Sequence, residues 1–217
     1  MQAVKQDTFD YSVKYPLKPI LSYDVIGFDM DHTLCRYKLG PLIKVCYDSF
    51  VLTMIEKMGY PEELKTQSEA EYEYSANNLV CDFETGCTLK LGANKQILRA
   101  FYGLKRLTRD EIYAKFGRPA LYKVWDEDLI YRRDKYYIAF GFYDNFIAQI
   151  WAKAIEIREK HPVIKGKSFQ QIYLDIHSSL EQNYFHYGDD FYTHPTKWGH
   201  FFPKLFANPM DYYFFTH

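Results

Sequence analysis

The run Asp24–Phe28, reading DVIGF, is apolar and short, and it passes straight into Asp29, Met30, Asp31, His32 and Thr33. A brief apolar run bounded by polar residues has the character of a strand buried on both faces, as in a parallel sheet flanked by helices. Two carboxylates one residue apart repel each other, and a buried strand has no use for them. They fit where a strand ends at the carboxyl edge of an open α/β sheet, the edge at which such sheets bind ligands. If the chain leaves the strand smoothly, alternation sends Asp29 and Asp31 to the same side. This stretch therefore predicts an α/β fold with an acidic pair facing a crevice.

Two acids on one side of a crevice can hold a hard cation such as Mg²⁺, which prefers oxygen ligands and bridges readily to phosphate. One carboxylate can attack phosphorus while the other moves the leaving group's proton. Crowding should drive their pKa values apart, which suits that division of labour. A calcium loop starting at Asp29 would need Gly at its sixth position and Glu at its twelfth. Leu34 and Gly40 stand there instead, which excludes it. A glycosyltransferase Asp-x-Asp leaves Thr33 and Leu34 unexplained. An Asx turn or a helix cap without chemistry is the ordinary reading of an isolated D-x-D-x-T. The apolar run directly ahead of it favours chemistry.

Along the chain, residues 1–23 read as a leader broken by Pro16 and Pro19. Pro41 opens a helix to Met58 that is apolar nearly all round and so belongs inside the molecule; Gly59 stops it. Residues 62–78 are acidic and read as a surface connection. Leu79–Phe83, Thr88–Leu91 and Gln96–Phe101 read as a three-strand meander, with Gly86 in the first turn. Thr108 and Glu111 have the spacing of a capping box, opening a helix to Phe116, and Tyr136–Phe140 is a further strand. Ile147, Ile150, Trp151, Ala154 and Ile155 form one helical stripe; Phe169, Ile172, Tyr173, Ile176 and Leu180 form another, behind a possible capping box of Ser168 and Gln171. Such stripes are core. From Tyr184 onward the chain is rich in aromatics, His and Pro without a usable period. His194 and His200 read as ordinary surface or half-buried histidines, with no zinc spacing.

Composition narrows the functional classes. The formal net charge of −1 offers no footprint for nucleic acid or an anionic membrane surface. No apolar run approaches the ~20 residues of a membrane helix, and no signal-peptide core opens the chain. Four cysteines without C-x-x-C spacing read as free, buried thiols in a reducing cytoplasmic setting. The aromatic share of 19% implies a large core or a buried interface, and a homo-oligomer stays open.

GFDMDHTLCRYK resembles motif I of the haloacid dehalogenase superfamily, in the form used by cytosolic 5'-nucleotidases and their 5'-nucleotidase domain-containing relatives. GYPEEL at 59–64, LVCDFETGCTLKLGANKQILRAFYG at 79–103 and KYYIAFGFYDNF at 135–146 resemble successive blocks of that group. The resemblance implies a Rossmann-like α/β core carrying a large α+β cap insertion. It implies magnesium-dependent hydrolysis of a phosphomonoester, a nucleoside 5'-monophosphate above all, through an aspartyl-phosphate. Asp29 would be the nucleophile and a metal ligand. Asp31 would be the general acid/base and would bind the metal through its backbone carbonyl. The backbone amide of Met30 would help hold the phosphate, Thr33 would fix the loop, and Leu34–Lys38 would begin a mobile element beside the site. Residues 24–60 would supply the first strand and helix of the core, and 61–217 mainly cap. In such enzymes the cap sets substrate choice, so Phe142, Tyr143, Asp144 and Asn145 are candidates for nucleotide contact. A helix start capped by Asp144 or Asn145 explains them equally well.

The pattern departs from that group downstream. A strand ending in Ser or Thr, a neutralising Lys and a late Gly-Asp-x-x-x-x-Asp are expected. Gly188-Asp189-Asp190 has His194 where the last Asp should fall. The expectation is an incomplete core, an amino-terminal portion of such an enzyme that is inactive alone. The alternative is a catalytically silent binding protein that keeps the cap.

Overall fold

The computed structural model describes residues 22–29, 33–65, 79–122, 134–139, 145–184 and 199–215. Strand β1 is Cys35–Tyr37 and helix α1 is Leu39–Met58; β2 is Leu79–Asp82, β3 Cys87–Leu91, β4 Ile97–Tyr102 and β5 Lys105–Arg106. Helix α2 is Arg109–Phe116, β6 Tyr136–Ala139, α3 Asn145–Ile157, α4 Pro162–Lys165, α5 Phe169–Tyr184, α6 Phe201–Ala207 and β7 Tyr213–Phe215. The chain divides into a large unit, Tyr37–Tyr213, and a smaller one that takes in described residues 22–29, 33–36 and 214–215.

The class is mixed α/β, and its five-stranded sheet contains the predicted meander and the predicted strand that begins at Tyr136. Five strands pair antiparallel in the order β5-β4-β3-β2-β6, all drawn from residues 79–139. The meander forms as its turns predict. Gly86 sits at φ +71°, a conformation that costs glycine little, and its amide donates to the Asp82 carbonyl at 2.9 Å. Side chains alternate across the sheet, so Leu79 and Cys81 enter one core while Val80, Cys87 and Leu89 enter another.

The predicted strand Asp24–Phe28 is a correction. No strand forms there, and Val25 and Phe28 are 84% and 70% exposed. A strand needs a neighbour to pair its backbone groups, and the strands of 79–139 pair among themselves. Downstream, Cys35–Tyr37 of the expected mobile element forms β1, which pairs with β7.

The helices follow their stripes. In α1, Leu42, Val45, Tyr47, Phe50, Val51 and Met54 are all buried, as an apolar surface running round the helix requires. Gly59 at φ +70° closes it, donating to the Ile55 carbonyl, while the Tyr60 amide reaches Met54. Helix α3 packs against α1 and α5 and against the sheet. Aromatic side chains meet in this core: Phe50 meets Phe146 at 4.7 Å between centroids, and Tyr173 meets Phe83 at 5.0 Å and Tyr137 at 4.8 Å. Helix α6, which the aperiodic tail gave no sign of, is held by buried Asn183, whose side-chain oxygen accepts from the His200 and Phe201 amides.

Of the two capping boxes, the first is complete. Thr108 Oγ1 accepts from the Glu111 amide at 3.3 Å, and Glu111 Oε2 accepts from the Thr108 amide at 2.7 Å. The second is half formed: Ser168 Oγ accepts from the Gln171 amide, but the Gln171 side chain turns to Asp175 instead. Glu111 also meets Lys105 Nζ at 2.8 Å. The Lys105 hydrogen bond, then those of Thr108, hold its carboxyl at about 2, below the ordinary 4.5. A depressed carboxyl stabilises the fold above its ordinary value and loses that contribution as pH falls through the folded one. Urea midpoints taken between about pH 5 and about pH 2 should therefore fall further in the parent than in Glu111→Gln.

Candidate functional site

Sequence reasoning points to the segment around Asp29. Asp29 lies exposed directly after Phe28, in a segment without regular secondary structure, and Thr33 is exposed in the turn Thr33–Leu34 ahead of β1. Asp31 and Met30 lie outside the described residues, as do Phe142, Tyr143 and Asp144. Asn145 opens α3, where a helix start was one of its two readings. Gly188, Asp189, Asp190 and His194 fall outside the described residues too. Oxygen donors such as the Asp29 carboxylate suit magnesium. Among the described residues, no group of three or more His, Cys, Asp or Glu could hold a metal ion. The same residues contain no helix long and apolar enough to cross a membrane.

In the large unit a second polar locus forms, one that no local motif announces. Asp82 ends β2 and is 1% exposed. Its Oδ2 accepts from the Thr85 amide at 3.1 Å and from the Thr85 hydroxyl, and its Oδ1 accepts from the Tyr122 hydroxyl at 2.9 Å. Burial, then the Asp82 charge, pushes the Tyr122 hydroxyl well above its ordinary value, so it stays a donor. A pocket of about 270 Å³ opens beside this network, lined by Glu84, Lys115, Phe116 and Leu121 as well as Asp82 and Tyr122. Asp82 is thus a pin that joins the β2–β3 turn to the segment after α2. Asp82→Asn would keep the shape but point an amide at donors, leaving buried groups unpaired. A loss of about 1–3 kcal/mol by urea unfolding is expected.

Other titratable groups are also structural. Tyr60 donates to Asp175 Oδ2 at 2.7 Å, and Lys167 Nζ meets the same oxygen at 2.8 Å. That cluster ties the turn after α1 to α5 across 115 positions. All four cysteines are free and buried, as read; burial raises the Cys81 and Cys87 thiols, which keeps them unreactive. His200 lies 2.9 Å from Glu56 on the surface, in keeping with an ordinary half-buried histidine.

A model of the 5' nucleotidase family matches residues 20–193, a span that takes in the Asp29 segment, the five-stranded sheet and the helices α1–α5. The proteins described as 5'-nucleotidase domain-containing protein 1 in Bos taurus and in Homo sapiens are each 30% identical to the chain over 198 residues. Those matches cover 87% of the chain and 40% of each relative, so the chain spans about two-fifths of their length. With most of its residues inside that span, the chain belongs to the 5' nucleotidase family.

Proposed function

We propose that this protein serves hydrolysis of nucleoside 5'-monophosphates, with Asp29 as the nucleophile and Asp31 as the general acid/base. The family match across Asp29–Thr33 carries this reading, since family membership suggests a nucleotide phosphomonoester hydrolase. Asp29 and Asp31 would hold a divalent cation, magnesium by the chemistry of their oxygens. When bound, such a cation neutralises charge on the phosphoryl oxygens. Asp29 attacks phosphorus and takes up the phosphoryl group; Asp31 gives the leaving oxygen its proton, then takes one from the attacking water. Residues 24–60 belong to the Rossmann-like core on this reading, and the antiparallel sheet with its helices is the cap that sets substrate choice. Phe142–Asn145, at the approach to α3, would meet the nucleoside.

The test is phosphate release from a panel of nucleoside monophosphates, with magnesium and with a chelator, by this chain and by the longest product of its gene. Release that chelation stops supports the reading. Release from neither protein on any nucleotide would favour a silent binding protein in its place.

A further inference from the structure

Asp82 sits in an electrostatically costly position. It is the one charged side chain that is buried among the described residues, and its three donors, the Thr85 amide and hydroxyl and the Tyr122 hydroxyl, are all neutral. A buried charge is expensive unless an opposite charge sits with it. A carboxylate offers about four lone-pair positions. Two donors meet Oδ2 and one meets Oδ1, so Oδ1 keeps capacity for one more. This carboxylate lines the pocket of about 270 Å³, and exposed Glu84 and Lys115 line it too. Burial raises the Tyr122 hydroxyl, followed by the charges of Asp82, Tyr136 and Glu84, so both acids act on one oxygen. Lys115 makes no ion pair among the described residues; its Nζ lies 5.6 Å from the Tyr102 ring centroid. Glu111, one turn earlier on α2, is held by Lys105 and Thr108 instead.

The pocket thus presents two carboxylates, one ammonium, and the apolar side chains of Phe116 and Leu121. A simple anion would meet two like charges there, and a simple cation would meet Lys115. A divalent metal ion needs more oxygen ligands than two acids supply, and no group of three or more His, Cys, Asp or Glu could hold one among the described residues. A zwitterion with an apolar tail suits every part of the lining. The volume is the share of roughly nine water molecules, which a molecule of about ten heavy atoms would fill.

We infer that this pocket binds a free α-amino acid with an apolar side chain of about leucine size. Its ammonium group would sit against Asp82 and Glu84, its carboxylate on Lys115, and its side chain against Phe116 and Leu121. The ammonium supplies the positive charge that the buried Asp82 carboxylate lacks, at the oxygen with acceptor capacity to spare. A few polar groups that fix orientation beside an apolar part are the usual make-up of a small-molecule site. A nucleotide fits less well, because its phosphate would face both acids. The assignment does not rest on Asp29 or its chemistry.

The test is a ligand-observed NMR titration of the full chain with L-leucine, with N-acetyl-leucine, which lacks the ammonium, and with leucinamide, which lacks the carboxylate. For a ligand of about nine heavy atoms, a leucine Kd on the order of 0.1–1 mM is expected. Each analogue should bind at least ~10-fold more weakly. Glu84→Gln and Lys115→Gln should each weaken leucine by about 3- to 10-fold. Both residues are exposed, so thermal melting stays at the parent value. Lys115→Gln should leave leucinamide binding unchanged or tighter, a pattern that a merely structural lysine would not produce. Three results overturn the proposal: no leucine binding up to about 10 mM, N-acetyl-leucine binding as tightly as leucine, or leucine binding indifferent to both substitutions.

Discussion

Asp29→Asn should abolish magnesium-dependent phosphate release in the longest product of the gene, by ~10³-fold or more. Asparagine has the shape of aspartate but neither its charge nor its nucleophilicity, so on the proposed mechanism the phosphoryl group would have nothing to transfer to and a cation would lose an anionic ligand. Asp29 is exposed. The substitution should therefore leave stability within about 0.5 kcal/mol, and unchanged melting separates lost chemistry from lost fold. An Asn variant that hydrolyses nucleotides at the parent rate would remove Asp29 from the mechanism, whatever the family match says.

Trp151→Ala should cost the most stability of any single truncation in the large unit, about 3–5 kcal/mol. Trp151 is fully buried at the middle of α3. Its ring lies 6.3 Å from that of Phe83 and 6.4 Å from that of Phe169, and its Nε1 donates to the Phe169 carbonyl at 3.2 Å. Truncation therefore opens a cavity between sheet and helices and removes the hydrogen bond to the Phe169 carbonyl at the start of α5. A loss of that size is a large share of a typical domain's stability, so the variant should unfold well below the parent in urea. A cost under about 1 kcal/mol would mean that the α3–sheet packing is wrong as described. Phe83 and Phe169 contact the same ring, so their truncations should not add independently to it.

Local periodicity was legible wherever burial followed the chain. The stripes of α1, α3 and α5, the Thr108–Glu111 box and the meander around Gly86 each depend on residues within a few positions, and each formed. Asp24–Phe28 failed for the opposite reason: its apolar run states a wish to be buried, but pairing needs a neighbouring strand that local sequence cannot promise. The half-formed box at Ser168 is a smaller case, since Gln171 had a better partner in Asp175 one turn along the helix.

Sequence by itself determined the family, because D-x-D-x-T after an apolar run couples residue type to spacing over a handful of positions. It also determined that the cysteines are plain buried thiols. Tertiary structure alone decided that Tyr136–Ala139 pairs with β2 at the edge of the meander, that Asp82 is a structural pin shared with Tyr122, and that Tyr60 is tied to Asp175. Those pairings join residues from 40 to 115 positions apart, and nothing in a local pattern says which distant donor a buried acceptor will find.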